Sequence, residues 1–272
     1  MASTSSRSES ARRARPDWSR YLDDFHDDRP GITEQVLAAA TSGGGDTPYQ
    51  WLAGPLTGSE GPVLDLACGS APTQPLLAAS RWLGVDASAG ELVLAQTTGR
   101  GPLVRARAGR LPLADGSVAD VCAAMSLQVL TPLDDVLREV VRVLRPGGRI
   151  VALVPASLGG PRRGAFMWWR LMRALGVLTQ PWPNPHALDG LADVLREHAL
   201  VVDADERRVF RREISDPAEA SVLIDSLYLP DVEPEHVSDA ERTLAAWARP
   251  GRSLPLPLRR VIAHLPQLGP RE

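Results

Sequence analysis

Val63-Leu64-Asp65-Leu66-Ala67-Cys68-Gly69-Ser70-Ala71 reads as a buried strand that runs straight into a tight turn of small residues. Twenty-one positions after Asp65, the stretch Gly84-Val85-Asp86 closes a second apolar strand on a carboxylate. A small-residue turn lets a ligand approach the backbone closely, and a carboxylate about 20 residues further on accepts hydrogen bonds from ribose hydroxyls. This is how an open α/β sheet holds an adenosine-type ligand. The bland alternative is a strand-to-helix turn without a ligand, with Asp86 a cap for a helix beginning near Ser88.

Outward from that stretch the chain alternates. Strands are expected near 62–67, 82–86, 102–106, 118–124 and 149–154, with helical stretches between them. Alternation of this kind predicts a parallel sheet with helices on both faces. After Leu130, Thr131 is placed to cap a helix, Pro132 suits its first position, and Asp134 and Asp135 suit its first turn. Val136, Leu137, Val140, Val141 and Leu144 give it one apolar face, and Pro146-Gly147-Gly148 is expected to end it. A sixth strand is expected near 199–212, helices from Asp216-Pro217 through about Tyr228 and from Asp239 to Ala248, and a last strand near 254–264.

Leu111-Pro112-Leu113-Ala114-Asp115-Gly116-Ser117, the strand Val118–Met125, and Leu144-Arg145-Pro146-Gly147-Gly148 before Arg149–Val154 complete a motif set. With these, residues 61 to 156 resemble the class I S-adenosylmethionine-dependent methyltransferases, particularly the ubiquinone/menaquinone C-methyltransferase group. The resemblance implies a Rossmann-like, seven-stranded, mostly parallel α/β sheet with helices on both faces. It implies division into a disordered tail (1–16), an N-terminal helical cap (17–60), the cofactor-binding core (61–155), a substrate-cap insertion after the fifth strand (156–195) and a C-terminal part of the same domain (196–272). It also implies S-adenosylmethionine as cofactor. Asp65, Ala67, Cys68 and Gly69 fall in the loop that meets the methionine half. Asp86 and Ala87 fall where the ribose carboxylate belongs, Ala108 and Gly109 at the adenine, and Met125 and Gln128 in the segment after the fourth strand of the core. Gln128 has two readings, as a cofactor or substrate contact and as a polar residue on the sheet rim.

Two departures stand out. Ala67 and Ala71 occupy positions where the family commonly has Gly. Arg107 stands where an acid often pairs with the adenine amino group, and Arg cannot accept a hydrogen bond.

The implied reaction is methyl transfer to a small molecule, on oxygen or carbon, with a secondary metabolite or a quinone-like ring as the expected acceptor class. The alternatives are an RNA or protein methyltransferase on the same fold and a non-catalytic cofactor-binding module. Displacement at a sulfonium needs mainly proximity and exclusion of water, so a base is required only where the acceptor must lose a proton. His26 and His186 are the weak candidates for that base; His198 and His264 read as element ends or surface. No pair of histidines has metal-ligand spacing on one helix, and no metal is expected.

The bulk numbers are ordinary for a soluble globular protein. The 272 residues are 44% hydrophobic and 23% charged, with a net charge of −3. That charge argues against a nucleic-acid partner, which favours a basic excess. No apolar run approaches the ~18 residues that span a bilayer, so no membrane partner is expected. All 30 basic residues are Arg, which excludes lysine chemistry. Cys68 and Cys122 read as buried thiols of a reducing cytoplasm, and the oligomeric expectation is monomer or homodimer. The Ser- and Arg-rich first residues lack the apolar core of a secretory signal.

Two further clusters stay open. Phe166 to Met172 is either core burying an insertion helix or the lining of an apolar acceptor pocket. Arg162-Arg163 beside it is either an anion contact or a solvated face. Arg207, Arg208, Arg211 and Arg212 suit an edge strand that resists aggregation.

Overall fold

The computed structural model describes residues 16–78, 80–157 and 164–267. The tail reading for residues 1–16 (Pro16 apart) and the Arg162-Arg163 reading fall outside them. In chain order the elements are α1 (Trp18–Asp28), α2 (Ile32–Ala38), β1 (Ala40–Thr41), α3 (Pro48–Ala53), β2 (Pro62–Leu66), β3 (Arg81–Asp86), α4 (Ala89–Thr97) and β4 (Leu103–Arg105). These are followed by β5 (Val118–Ala124), α5 (Leu133–Val143), β6 (Leu144–Pro155), α6 (Ala165–Ala174), α7 (His186–Asp189), α8 (Leu191–Glu197), β7 (Val201–Glu213), α9 (Pro217–Asp225), α10 (Pro234–Ala245) and β8 (Ser253–His264).

The strands form one sheet in the order β1-β7-β8-β6-β5-β2-β3-β4. The five from β6 to β4 are parallel, and β8, β7 and β1 add on antiparallel. This is the expected Rossmann-like α/β class. Seven strands are the expected ones; the eighth is the two-residue β1, too short to carry a period-2 signal. It covers β7 only at Arg211 and Arg212.

The central strands read as unbroken apolar runs because both faces are buried. Along β6, Ile150, Ala152 and Val154 enter one core cluster, while Val151 and Leu153 enter the other. α5 supplies Leu133, Val136, Leu137, Val140 and Val143 to the first cluster. A fully buried Leu or Val contributes about 1.5–3 kcal/mol, so this helix docks through its apolar stripe. The second face packs Trp51, Leu52 and Leu56 beneath α3. A third cluster joins α6, α9 and α10 to the start of β8.

Several boundaries differ from expectation. Pro132, not Thr131, is the cap residue of α5, in extended conformation and with no side-chain cap bond. The helix ends at Val143, and Pro146-Gly147-Gly148 lies within β6 rather than terminating the helix. Gly147 there has a φ of 77°, and its N–H donates to Leu265 O, so the glycines serve a strand irregularity. α9 stops at Asp225, short of Tyr228, and α10 begins at Pro234, whose ring suits a first turn.

Candidate functional site

The site is built at the carboxyl ends of β2 and β3. These strands pair in parallel with Asp65 opposite Gly84. A Cβ on Gly84 would fall 2.8 Å from Cys68 Sγ and 2.4 Å from the Trp82 ring, so only glycine lets the loop pack this closely. The loop is held by Cys68 N–H donating to Val85 O at 3.1 Å and Gly69 N–H donating to Asp86 Oδ2 at 2.8 Å. Asp86 Oδ1 accepts from Ser88 N–H at 2.8 Å, and Ser88 Oγ caps α4 by accepting from Glu91 N–H. Burial pushes the Asp86 carboxyl above its usual range, against those two backbone donors.

Ala67, Gly69 and Ala71 all lie in the left-handed region, with φ of 52°, 53° and 61°. The two alanines therefore adopt the glycine-like backbone, at a cost of roughly 1–2 kcal/mol each. Met125, at the tip of β5, is likewise at φ 53°.

A cavity of about 160 Å³ opens over these tips. It brings together Ala67, Cys68, Gly69, Asp86, Ala87, Ala108, Gly109, Met125 and His26. Three of the expected residues stand apart. Asp65 lies beneath the loop, 1% exposed, where Thr73 Oγ1 donates to its Oδ2 and Trp82 Nε1 donates to Thr73 Oγ1. Burial pushes its carboxyl up to about 7, against the hydrogen bond from Thr73 and with the Asp86 charge adding to the rise. Gln128 lines a different cavity, and His186, opening α7, lines neither.

Sequence reasoning missed most of the residues that roof the cavity. Besides the expected His26, α1 contributes Asp23, and α2 contributes Thr33 and Glu34. Glu34 is fixed by both Arg100 guanidinium nitrogens, at 2.6 and 2.8 Å, and by Ser70 Oγ at 2.6 Å. Burial raises its carboxyl, but those bonds outweigh it and hold the pKa below the usual value. Asp27 ties α1 to α4 by accepting from Ser88 Oγ and Gly90 N–H. Arg107, which cannot itself accept, holds Asp23 at 2.7 Å, so a carboxylate does reach this edge of the cavity from α1.

Tyr228, after α9, was also missed. Its hydroxyl lies 3.0 Å from His26 Nε2, while His26 Nδ1 lies 2.9 Å from Glu91 Oε1. Glu91 Oε2 accepts from Gly31 N–H. No sequence signal links Tyr228 to His26 across 202 positions.

A second cavity, of about 480 Å³, adjoins the first, and Thr33, Met125 and Tyr228 line both. Its walls include Trp168, Trp169, Met172, Trp182, Leu223 and Leu227, and no charged side chain lines it among the described residues. The Phe166–Met172 segment thus divides by helix face: Met167 and Leu171 are core, Trp168, Trp169 and Met172 line the cavity, and Phe166 is exposed. Gln128 Nε2 donates to Met125 O, and its buried Oε1 has no partner among the described residues.

Residues 64–152 match the family described as a methyltransferase domain. The demethylmenaquinone methyltransferase of Mycolicibacterium gilvum is 36% identical over 156 residues, covering 55% of this chain and 64% of that protein. The malonyl-[acyl-carrier protein] O-methyltransferase of Alcanivorax borkumensis is 34% identical over 154 residues, covering 52% of each. The chain therefore spans less than two thirds of the length of either relative. Among solved structures, the [4+2]-cyclase SpnF superposes with a TM-score of 0.57 at 15% identity, covering 91% of this chain and 96% of that one. Phosphoethanolamine N-methyltransferase 2 of Haemonchus contortus, solved with S-adenosylhomocysteine, gives 0.55 at 14% identity, covering 93% and 61%. At those identities the likeness is one of fold alone.

Two observations test whether the residues fit an S-adenosyl group. Asp86 lines the cavity, and its carboxylate keeps free lone pairs after accepting two backbone bonds. Ser126 Oγ, on the wall beside Met125, is buried without a partner among the described residues, so a polar group is wanted there. Asp86 and Glu91 also make the cavity suited to a cation. The residues fit.

Among the described residues there is no cluster of three metal-ligating side chains and no helix long and apolar enough to cross a membrane.

Proposed function

We propose that the protein transfers a methyl group from S-adenosylmethionine to an uncharged, largely apolar small molecule. The observation that carries this reading is the pair of adjoining cavities. One is acidic and sits on the β2 and β3 tips, and the other is free of charged walls among the described residues.

In this reading Asp86 and Ala87 hold the ribose, and Ala108 and Gly109 present backbone to the adenine. Asp23, held by Arg107, supplies the acid that the chain lacks after β4. Ala67, Cys68, Gly69, Met125 and Ser126 surround the methionine half. The methyl group, carried on a sulfonium, would then face the wall shared by Thr33, Met125 and Tyr228. The cofactor supplies an activated methyl; the protein supplies alignment, exclusion of water and, where needed, a place for a proton. The acidic cavity favours the cationic donor over the neutral thioether left after transfer, which aids turnover.

The acceptor occupies the cavity walled by Trp168, Trp169 and Trp182. Gln128, whose buried Oε1 lacks a partner among the described residues, is part of that wall, and a buried acceptor left unpaired costs about 1–3 kcal/mol. A charged acceptor would lose its hydration with nothing charged to replace it. An RNA or protein acceptor is disfavoured on the same ground and by the net charge of −3. We assign α1 to α3 as the cap over the cofactor and, within the expected insertion, residues 164–195 as part of the acceptor wall.

Titration calorimetry with S-adenosylmethionine tests the reading. Binding in the micromolar range is expected, and absence of binding at millimolar ligand would sink it.

A further inference from the structure

The hydrogen-bonded row Glu91–His26–Tyr228 crosses from the cofactor cavity to the wall shared with the apolar one. Glu91 is 2% exposed and accepts from Gly31 N–H at Oε2. An ionised carboxylate only accepts, so the proton between Glu91 Oε1 and His26 lies on Nδ1. A neutral imidazole protonated at Nδ1 has a bare Nε2, and that nitrogen receives the Tyr228 hydroxyl at 3.0 Å. The Tyr228 ring is clamped edge-on by Phe25 and Trp182, with centroids 4.8 and 6.0 Å away. The charged and titratable groups facing His26 are Glu91 from α4, Asp86 from the tip of β3 and Tyr228 itself; the neighbouring Asp27 turns away to Ser88 and Gly90.

Resting on the methyl-transfer reading above, we propose that Tyr228 is a catalytic residue that takes the proton of a hydroxyl acceptor while passing its own to His26, with Glu91 positioning the imidazole. The acceptor is thereby a phenol or enol, and the first methyl bond it forms is to oxygen. The acceptor oxygen attacks the methyl carbon, and the carbon–sulfur bond breaks with its electron pair staying on sulfur. The acceptor O–H proton moves to Tyr228 Oη as the Tyr228 proton moves to His26 Nε2. An imidazolium beside Glu91 results, and it returns its proton to solvent when the products leave. Burial pushes the Tyr228 phenol well above its ordinary value, which disfavours a standing phenolate and favours this paired movement.

The test uses the full chain with labelled S-adenosylmethionine and three matched probes: 2-naphthol, 2-naphthylamine and 2-naphthoate. Naphthol alone should be methylated, on oxygen. Tyr228→Phe should lower that rate at least about 100-fold, the scale of a lost general base, with cofactor affinity held within about threefold. Free imidazole should restore part of the activity of His26→Ala, which a merely structural ring would not allow. Preference for the amine or the carboxylate, or an unchanged rate in Tyr228→Phe, overturns the proposal. A second readout needs no turnover. Nitrogen NMR of the His26 ring should report a proton on Nδ1 and a hydrogen-bonded, bare Nε2 that loses its bond in Tyr228→Phe. A proton on Nε2 overturns the relay even if methylation occurs, and if no probe reacts this result alone decides. Failure to bind S-adenosylmethionine at all would instead sink the parent reading and leave the His26 tautomer as found.

Discussion

The backbone N–H of Gly69 lies 2.8 Å from Asp86 Oδ2, so one charge-assisted hydrogen bond ties the turn after β2 to the tip of β3. Asp86 therefore shapes the loop as well as facing the cavity. Asp86→Ala is expected to weaken S-adenosylmethionine binding at least tenfold, about 1.4 kcal/mol, in a calorimetric titration. Because burial raises the Asp86 carboxyl, wild-type affinity should begin to fall in acid at a higher pH than an ordinary aspartate would give. Affinity unchanged in the variant would remove Asp86 from the site.

Ala67 and Ala71 share a left-handed backbone but differ in burial. Ala71 is fully buried, whereas Ala67 is partly exposed. Ala67→Gly relieves strain of roughly 1–2 kcal/mol and adds about 0.5–1 kcal/mol of unfolded-state entropy, a net gain near 0.5 kcal/mol. Ala71→Gly also loses a buried methyl, worth about 0.8 kcal/mol, and should gain nothing. Urea unfolding of the pair measures the contrast, and a larger gain at Ala71 would contradict it.

Asp65 carries a pH prediction. Burial raises its carboxyl to about 7, so the native chain holds a proton that the unfolded chain has released. Stability from this group is therefore largest in acid and declines as pH rises through about 7, by at most on the order of 4 kcal/mol. Glu34, whose pKa is lowered, runs the other way, being stabilising above the ordinary carboxylate range and lost below it. The clean readout is the difference between wild type and Asp65→Asn, which should shift toward the variant between pH 4 and 8. A pH-independent difference would place the Asp65 charge elsewhere.

How much of this was legible turns on sequence distance. The strands β2, β3, β5 and β6 showed as apolar runs because both faces are buried, and Asp86 showed because it sits at a fixed spacing after the turn. The start of α5 lies one residue later than the Thr131–Pro132 pattern implies, because Pro132 is itself extended and serves as the cap residue. Asp65 matched a motif position, yet its fate depended on Thr73 and Trp82 closing over it. Gln128 was seen as polar near the site, but which cavity it lines was settled by Trp168, Leu223 and Pro257, from three remote segments. Tyr228 and Glu91 carried no local signal at all; only packing of α1 against α4 and α9 brings them to His26.

Asp23 and Arg107 supply a further check. If Asp23, held at 2.7 Å by Arg107, meets the adenine amino group, Asp23→Ala should weaken S-adenosylmethionine binding by about threefold or more, roughly 0.7 kcal/mol. Binding of the inosine analogue, which lacks that amino group, should be indifferent to the change. Equal losses for both ligands would mean that Asp23 only fastens α1 over the cavity.

The most direct measurement is a crystal structure of the full chain with S-adenosylhomocysteine. Its ribose hydroxyls are expected within hydrogen-bond distance of the Asp86 carboxylate, with the sulfur aimed at the wall of Thr33, Met125 and Tyr228. A ligand lodged in the tryptophan-lined cavity, or bound away from Asp86, would contradict the assignment of the two cavities.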